Sequence, residues 1–596
     1  MPSYSAPVEQ VLFLFEDVFN LARYDNLRGF SDLSGGGARA VLSAAALFAE
    51  EVLQPLNRIG DRQGCRRETD GSVRVPDGFV EAYRRYAEAG WTGLNAAPEY
   101  GGQGLPFVLT TVLNEVNASA NLAFSMYPGL SQSAYSAILA HGSAAQRALY
   151  LPRLASGQWS GTMNLTEPQC GTDLSLIRTR AAPQPDGTYR LTGQKIFISS
   201  GEHDLCENIV HLVLARIEGA PPGTRGLSLF LVPKRLIDAG GSVGERNGLV
   251  CGALEHKMGL HGNPTCVIDY DAAVGTLLGE ANRGLQAMFV MMNEARIGVA
   301  TQGLALSEVA YQNAAAYAKS RTQGRRLGKG APAELQAEPI IVHADVRRML
   351  LNIRAFNEAA RALAVWTALQ ADLAHHAPDA AARQAADDLL GLLTPVLKGV
   401  CTDTGLQNCI QAQQVLGGHG YIAEWGMEQF VRDARITTIY EGTNGIQALD
   451  LVMRKLPRDG GRAFMSFTAE VSSFCKSLDG LPALEPFVRP LRQGLDRLQQ
   501  ATLWFMKHAR EKPDEAAAGS ADYMHLFGLV ALGYMWARIA AAATRRLEHG
   551  SVDHVMTAKL GFGRFFMERT MPETAAHLAR ITAGSDAVMA LPQEAF

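Results

Sequence analysis

A single carboxylate lies in residues 439–447, in a setting that suits a base for carbon acids. Glu441 precedes Gly442, and Thr443 or Asn444 is placed to cap a following helix. Glycine lets a backbone approach a ligand closely. Apolar surroundings would raise the pKa of this acid and the helix N-terminus would lower it, and a general base needs that balance. Spacing alone favours the alternative, in which Glu441 belongs to a capping arrangement on a surface loop.

Two segments between residues 161 and 201 carry groups that suit a planar, acceptor-rich ring. Residues 165–173 (LTEPQCGTD) combine hydroxyls, a proline bend and a glycine, and residues 195–201 (KIFISSG) place Phe197 two positions before Ser199. Hydroxyl and backbone N–H groups can donate hydrogen bonds to such a ring. On pattern alone, the first segment is an ordinary loop and Phe197 is a core residue of a strand.

Three further clusters place charge or glycine at helix positions. Glu294 and Arg296 lie on an otherwise apolar helix, where a buried arginine needs an anion and a satisfied surface pair is the alternative. Arg321 follows the same helix and, taken alone, is a solvated arginine at a helix end. Gln414 precedes the run GGHGY at 417–421, which by itself is an ordinary helix C-cap.

The composition limits the class of protein. The 596 residues are 47% hydrophobic and 19% charged with a net charge of -4, which gives no nucleic-acid footprint. The 8 cysteines form no C-x-x-C pair and the histidines match no metal-ligand spacing, so we expect reduced thiols and no metal site. We expect no signal peptide, because residues 1–10 contain no Lys or Arg and no sustained apolar run, and the apolar run at 526–537 is too short to cross a bilayer. The expectation is a cytoplasmic protein, with a peripheral position at the inner membrane left open.

Periodicity predicts the elements that must position these residues. Helical patterns fill residues 41–160, with helices predicted at 79–89, 107–122 and 134–141, and an amphipathic segment precedes them at 8–21. Short alternating runs with turn signals between 161 and 278 predict an antiparallel β domain in the form of a small barrel. Helical spacing then continues to the end, with predicted helices that include 380–414, 428–436 and 555–578, except for a Pro/Ala-rich loop at 328–339. We predict an α+β multidomain protein with five parts. An extension at 1–40 and a helical domain at 41–160 precede the β domain at 161–278. A helical bundle at 279–456 and an appended helical domain at 457–596 follow it.

Six motifs in order resemble those of the acyl-CoA dehydrogenases. They are PEYGGQG at 98–104, the segments at 165–173 and 195–201, residues 317–324 around Arg321, QVLGGHGY at 414–421 and YEGT at 440–443. The resemblance implies an N-terminal helical domain, a middle β-barrel and a C-terminal four-helix bundle. The appended domain is similar to that of larger members, among them 3-methylmercaptopropionyl-CoA and fatty acyl-CoA dehydrogenases, and its balanced charge disfavours DNA binding.

The resemblance also implies an FAD cofactor and a set of site residues. Glu441 would be the catalytic base, and Arg296 would lie near it. One branch of the family places its base at the position of Ala295, where alanine cannot serve, so Glu294 is the weaker alternative. Gly324 stands where the family usually has an aromatic residue. The implied cofactor contacts are Met163, Leu165, Thr166, Gly171, Thr172, Phe197, Ser199, Arg321, Gln414, Gly418 and Thr443, and the implied substrate contacts are Thr172, Tyr440 and Gly442.

The implied reaction is α,β-dehydrogenation of an acyl-CoA thioester to the trans-2-enoyl-CoA. Glu441 would remove the α-proton while the β-hydride passes to flavin N5, and electron-transferring flavoprotein would then accept the electrons. Arg321 and Gln414 would reach the FAD of a neighbouring subunit, which implies a homodimer or a dimer of dimers. The alternatives are an acyl-CoA oxidase, which passes electrons to oxygen, and an inactive acyl-CoA- or flavin-binding relative, which would be expected to lack the acid.

Overall fold

A computed structural model describes residues 2–238, 240–327, 336–509, 511–548 and 553–596 of the chain. Of the loop predicted at 328–339, residues 328–335 lie outside the described residues. The chain forms two compact units, one of Met1–Ser43, Phe107–Glu115 and Val299–Phe596 and the other of Ala44–Pro106 and Val116–Gly298. The domain boundaries predicted from the sequence stay predictions.

The unit of residues 44–106 and 116–298 begins with helices that pack through aromatic rings. The ring of Phe124 contacts those of Phe79 and Tyr86, with centroids 5.8 and 5.9 Å apart. Two helices predicted at 107–122 and 134–141 form one run, Phe107–His141, which is interrupted at Asn121 by non-helical backbone angles. Among the described residues, the other α- and π-helical segments wholly within this unit are Ala49–Leu53, Gln54–Gln63, Phe79–Glu88 and Ala144–Ala155.

The β domain of this unit is a seven-stranded sheet with two small two-stranded sheets. The strands are β1 (Arg66–Arg67), β2 (Val73–Arg74), β3 (Trp159–Asn164), β4 (Arg180–Pro183), β5 (Tyr189–Ser199), β6 (Asn208–Ile217), β7 (Leu227–Pro233), β8 (Arg235–Ile237), β9 (Val243–Arg246), β10 (Leu249–Leu254) and β11 (Thr265–Leu278). The large sheet has the order β10-β11-β5-β4-β6-β3, and β7 pairs with both β11 and β6.

This sheet corrects the prediction of a purely antiparallel domain. Strand β6 runs parallel to β3 and to β4, whereas the other pairs in the large sheet are antiparallel. A parallel pair needs a long crossover between its strands, and period-two patterning cannot reveal which distant strand will be the partner. A barrel with a regular tilt and shear stays a prediction.

The unit that holds residues 299–596 is helical in its described parts. Long helices Gly284–Ser320 (from residue 299 onward), Ala344–His376 and Ala380–Val415 are followed by the shorter Gly418–Tyr421, Met427–Arg435 and Asn444–Asp450. A π-helical turn, Leu451–Lys455, continues the last of these helices. At the start of the chain, Val8–Phe13 and Leu14–Val18 form the predicted amphipathic segment.

The appended region surrounds one apolar helix. Its helices are Arg462–Ser477, Glu485–His508, Pro513–Glu548, His554–Arg569, Glu573–Thr582 and Asp586–Met589, so the single helix predicted over residues 555–578 is two. Among the described residues, Pro513–Glu548 is the one helix long and apolar enough to cross a membrane, and 94% of its most apolar window is buried within the protein. Such burial is typical of a core helix.

Buried charges and one indole tie the appended helices to the helix Ala344–His376. Lys559 donates to Glu358, and both side chains are almost fully buried. Trp536 donates from its indole nitrogen to the carbonyl oxygen of Ala355, 3.0 Å away. Removing one partner of a buried ion pair leaves an uncompensated charge and costs about 3–5 kcal/mol. These contacts therefore make the appended helices part of the same core.

Candidate active site

The segment around Glu441 has a constrained backbone. A 3₁₀ turn, Ile436–Thr438, leads into it, and the helix Asn444–Asp450 follows. Glu441 has φ +57° and Gly442 has φ +86°, both in the left-handed region. A non-glycine residue in that region costs on the order of 1–3 kcal/mol and persists only where its surroundings hold it. The half-buried Glu441 is thus held in an unusual conformation by the packing around it.

Two side chains, Lys398 and Gln447, hold this segment through its carbonyl oxygens. Lys398, which is fully buried, donates to the carbonyl oxygen of Gly442 at 2.9 Å and to Oδ1 of Asn444 at 2.6 Å. Gln447 donates from Nε2 to the carbonyl oxygen of Glu441 at 2.9 Å. A Cβ added at Gly442 would lie 2.7 Å from that same Nε2, so the close approach of Gln447 requires glycine.

The neighbours of Glu441 are also anchored. The hydroxyl of Tyr440 donates to the amide oxygen of Gln302 on the helix Gly284–Ser320. Burial, together with the charge of Glu441, raises the pKa of Tyr440 far above its usual range, so the phenol stays protonated. Thr443 occupies the N-cap position as predicted, but its side chain makes no cap hydrogen bond, and it is exposed.

In the other unit, hydrogen bonds fix the segment at 165–173, which is predicted to bind a flavin, to strand β5. Nζ of the buried Lys195 donates to the carbonyl oxygen of Leu165 and to Oε1 of Glu167, at 2.8 Å each. Ile196 donates its backbone N–H to the carbonyl oxygen of Thr166 at 2.9 Å. These contacts occupy the carbonyl groups of Leu165 and Thr166. The hydroxyls of Thr166 and of the exposed Thr172 make no hydrogen bond to the described residues.

Glu167 is a buried carboxylate that organises this loop. Burial by itself would raise its pKa, but the charge of Lys195 and hydrogen bonds from Lys195, Thr179 and Arg178 lower the pKa to about 2. Thr179 donates its N–H at 3.0 Å and its hydroxyl at 2.6 Å to Oε1. Glu167 is therefore ionised at neutral pH and connects residues 165–168 to residues 178, 179 and 195.

Phe197 is not a core residue, which corrects the interpretation that its pattern alone favoured. Its side chain is 59% exposed and its φ is +58°, next to a register shift in the pairing of β5 with β11. A bulge in a strand re-aims a side chain. The hydroxyl of Ser199 makes no hydrogen bond to the described residues, and Met163 is half-buried at the end of β3. Aromatic and hydroxyl groups are thus presented at one strand end.

Glu294 and Arg296 lie on the part of the helix Gly284–Ser320 that belongs to the β-containing unit. Burial raises the pKa of Glu294 to about 8, although a hydrogen bond involving Ser136 lowers it in part. The side chain of Arg296 is buried, and its guanidinium donates to Oδ1 of Asn293 at 3.4 Å. The surface pair that the sequence offered as an alternative is therefore wrong for Arg296.

The structure brings the end of the helix Gly284–Ser320 and the glycine-rich turn together. The hydroxyl of Tyr317 and Nδ1 of His419 are 2.9 Å apart, and the His419 ring stacks on Trp425 with centroids 4.4 Å apart. Arg321 is one turn beyond Tyr317, and Gly418 adjoins His419. Arg321, Gln414 and Gly418 are all exposed, so each is placed to contact a ligand or another chain.

The sequence did not reveal Lys398, Gln302 or Gln447 as supports of the Glu441 segment. A signal for Lys398 was present, because a lone lysine stands in the apolar run TPVLKGV at 394–400 of a helix. A buried lysine needs a partner. Its partner lies 44 residues away along the chain and follows no periodic pattern. Within the described residues, no cluster of three or more His, Cys, Asp or Glu is arranged to hold a metal.

Comparison with known families accounts for most of the chain. Residues 37–158, 162–273 and 282–456 match the models of the acyl-CoA dehydrogenase N-terminal, middle and C-terminal domains. Residues 467–592 match a model described as acetyl-CoA dehydrogenase C-terminal like. Together these matches span residues 37–592, apart from short gaps at 159–161, 274–281 and 457–466.

Relatives of full length are similar throughout. A 3-methylmercaptopropionyl-CoA dehydrogenase of Ruegeria pomeroyi is 42% identical over 98% of this chain and 99% of its own length. A broad-specificity linear acyl-CoA dehydrogenase of Mycobacterium tuberculosis is 33% identical over 100% of both chains. The crystal structure of an acyl-CoA dehydrogenase complexed with FAD from Bacillus anthracis shares the fold, with a TM-score of 0.74, 21% identity and coverage of 91% of this chain and 88% of its own.

Proposed function

This chain belongs to the acyl-CoA dehydrogenase family, and we propose that it oxidises an acyl-CoA thioester to the trans-2-enoyl-CoA with Glu441 as its base. FAD is its cofactor, and it supplies the acceptor for the β-hydride when bound. Glu441 removes the α-proton in the same reaction. The α-proton of a thioester is a weak acid, so a positioned carboxylate must be combined with stabilisation of the developing enolate oxygen.

The observation that carries the proposal is the conformation of Glu441. Glu441 has a left-handed backbone, is followed by a glycine, and lies in a turn whose carbonyl oxygens accept from Lys398 and Gln447. Such a strained conformation is typical of a residue whose position matters more than its conformational cost. We infer that the strained turn points the carboxylate at the substrate and its backbone N–H at the thioester oxygen. A backbone N–H in that role acts as an oxyanion hole.

The residues present fit an FAD cofactor. The hydroxyls of Thr166, Thr172 and Ser199 make no hydrogen bond to the described residues, and Phe197 has an exposed aromatic face. We propose that these groups, with Met163, Leu165 and Gly171, hold the flavin ring. From the resemblance of the motif at 440–443, we propose Thr443 as a further FAD contact. Tyr440 and Gly442, together with Thr172, would contact the acyl-CoA.

We also propose a homodimer or a dimer of dimers in which Arg321, Gln414 and Gly418 reach the partner's FAD. Tyr421 is 84% exposed and Ile422 is 48% exposed beside the glycine-rich turn. Large apolar side chains that cluster at a surface often mark an interface between chains. A cytoplasmic location and electron-transferring flavoprotein as the electron acceptor complete the proposal.

The substrate is best sought among the acyl groups of the relatives. The Ruegeria relative is named for 3-methylmercaptopropionyl-CoA and the mycobacterial relative for broad-specificity linear acyl-CoA. Because the identity to the first is higher, we propose the methylthio substrate as the first to be tested. A series of acyl-CoAs from short to long should be compared with it by kcat/KM.

Anaerobic mixing of the purified holoenzyme with acyl-CoA tests the reaction. We expect the yellow flavin to bleach and trans-2-enoyl-CoA to form in equal amounts. Air is then admitted: a dehydrogenase reoxidises slowly, while an acyl-CoA oxidase reoxidises rapidly and releases hydrogen peroxide. A protein that binds FAD and acyl-CoA without bleaching would be the inactive relative, and a protein that binds no FAD would refute the proposal.

A further inference from the structure

The apolar helix Pro513–Glu548 of the appended region lies directly against the elements that hold Glu441. It packs on the helix Asn444–Asp450 and on the helix Ala380–Val415, which carries Lys398. The packing on the second helix is close. A Cβ at Gly399 would lie 2.2 Å from Sδ of Met524, and a Cβ at Gly528 would lie 2.4 Å from Cγ2 of Val400. The two backbones therefore approach each other beside Lys398.

A hydrogen-bonded chain runs from this helix to the Glu441 segment. Nε2 of His525 donates to Oδ2 of Asp403 at 3.1 Å, and Oδ1 of Asp403 accepts from Nδ2 of Asn444 at 2.7 Å. Asn444 in turn accepts from Lys398, which donates to the carbonyl oxygen of Gly442. Asn444 and Lys398 are buried, whereas His525 and Asp403 are about one-third exposed.

His525 is itself held within the appended region. Its ring stacks on that of His577, with centroids 5.8 Å apart and planes 11° apart. Nδ1 of His577 lies 2.7 Å from Oδ1 of Asp522, which also accepts from Arg580 at 2.6 Å. Burial lowers the pKa of His577, although the hydrogen bond and the charge of Asp522 raise it in part.

The same histidine faces the segment that leads into the candidate site. Asp403 and His525 line a cavity of about 470 Å³ together with Arg435 and Thr438. The guanidinium of Arg435 donates to the hydroxyl of Thr438 at 2.5 Å, one turn before Glu441. The appended helix is thus connected to the Glu441 segment through Asp403 and Asn444, and it lines one cavity with two residues that precede Glu441.

We propose that His525 is a positioning residue for the reaction, which acts through Asp403 and Asn444 to hold the Gly442 carbonyl and hence Glu441. The inference rests on the proposed function, because it assumes that Glu441 is the base. It gives the appended region a role beyond covering the core, since the region supplies one end of the hydrogen-bonded chain. His525 touches neither substrate nor cofactor in this proposal, and its effect is on the placement of another group.

Substitutions at His525 in the full-length holoenzyme test the proposal. His525→Leu removes the donor, and coupling through such a chain predicts roughly a three- to thirtyfold lower kcat, with KM and FAD content unchanged. His525→Gln keeps an amide donor at a similar distance and should recover most of the loss. His508→Leu is the matched control, because that ring contacts a local carbonyl of Trp504 on another appended helix, and its kcat should equal that of the wild type.

Asp403→Ala provides an independent test, which also serves if leucine at position 525 prevents folding. It should lower kcat by a similar factor, and the double variant should be no worse than either single variant, because both interrupt one chain. Wild-type kcat in His525→Leu, or losses that add in the double variant, would overturn the proposal. Glu441→Gln separates the two hypotheses: turnover retained there refutes the proposed base, whereas an inactive Glu441→Gln with an unaffected His525→Leu refutes only the role of His525.

Discussion

Lys398 donates a hydrogen bond to the carbonyl oxygen of Gly442, 2.9 Å away and 44 residues further along the chain. The lysine is fully buried, and its second acceptor is Asn444 at the start of the next helix. A buried ammonium group is stable only with partners that satisfy it. The acceptors beside the turn at residues 441–442 satisfy the buried lysine. In return, the lysine holds this turn, whose two residues have left-handed backbone angles.

We therefore expect Lys398→Met to impair both stability and turnover. The substitution keeps the volume but removes the donor from the buried Asn444 oxygen and from the half-buried Gly442 carbonyl, and an unsatisfied buried group costs about 1–3 kcal/mol. A misplaced base should lower kcat by roughly 10²-fold. Urea unfolding and steady-state kinetics measure the two effects. Lys476→Met, at an exposed lysine, is the control and should change neither.

Two glycines three residues apart give a sharper comparison. Gly442→Ala forces a Cβ to within 2.7 Å of Gln447 at a φ of +86°, and we expect it to cost about 1–3 kcal/mol and most of the activity. Gly445 lies in the helix Asn444–Asp450 with nothing within 4 Å of an added Cβ. Gly445→Ala should be neutral or stabilising by up to about 1 kcal/mol. Equal effects in thermal unfolding would show that the turn is not constrained.

Phe197→Ala should separate cofactor affinity from stability. The side chain is largely exposed, so its removal should change the free energy of unfolding of the apoprotein by no more than about 0.5 kcal/mol. If the ring packs on the flavin, its loss should weaken FAD binding by about three- to tenfold. Fluorescence titration of the apoprotein with FAD measures this. Leu176→Ala, another exposed apolar residue of the same domain, should leave the affinity unchanged.

Glu167 should make the stability of the protein depend on acid pH. Its pKa is lowered from 4.5 to about 2 in the folded state, so its contribution is fully present above pH 4.5 and is lost as the pH falls towards 2. The shift corresponds to about 3 kcal/mol. In urea unfolding, Glu167→Gln should be less stable than the wild type at pH 7, and the difference should shrink below pH 4.5. A difference that is independent of pH would contradict the ion pair with Lys195.

The sequence predicted the bounds of single helices better than the distant residues that these helices contact. Helices such as Phe79–Glu88, Ala380–Val415 and Met427–Arg435 end within two residues of their predicted bounds, because apolar spacing and turn residues are local signals. The sequence predicted a helix end at residue 122 and a new start at 134, whereas the helix continues through these residues and its backbone is non-helical at Asn121. Its amide group bonds to the carbonyl of Leu53 and to the N–H of Phe124, and only the tertiary structure brings the first of these close.

The site could be predicted where a motif is contiguous. The residues around Glu441 and those at 165–172 lie in short motifs, and the structure places both in constrained, partly buried loops. The supports of those loops could not be predicted, because Lys398, Asp403 and His525 are separated from the Glu441 segment by tens of residues. Period-two and helical patterns give the face on which a side chain lies, but not which distant atom it meets.

Anaerobic stopped flow on paired variants tests directly whether Glu441 is the base, because it measures the rate at which acyl-CoA bleaches the bound flavin. Glu441→Gln should retain FAD and bind acyl-CoA, but reduce its flavin about 10²–10⁴-fold more slowly, because the general base is lost. Glu294→Gln, which removes the other candidate carboxyl, should reduce at close to the wild-type rate. A Glu441→Gln enzyme that bleaches as fast as the wild type, with Glu294→Gln inactive, would move the base to Glu294 and contradict the account.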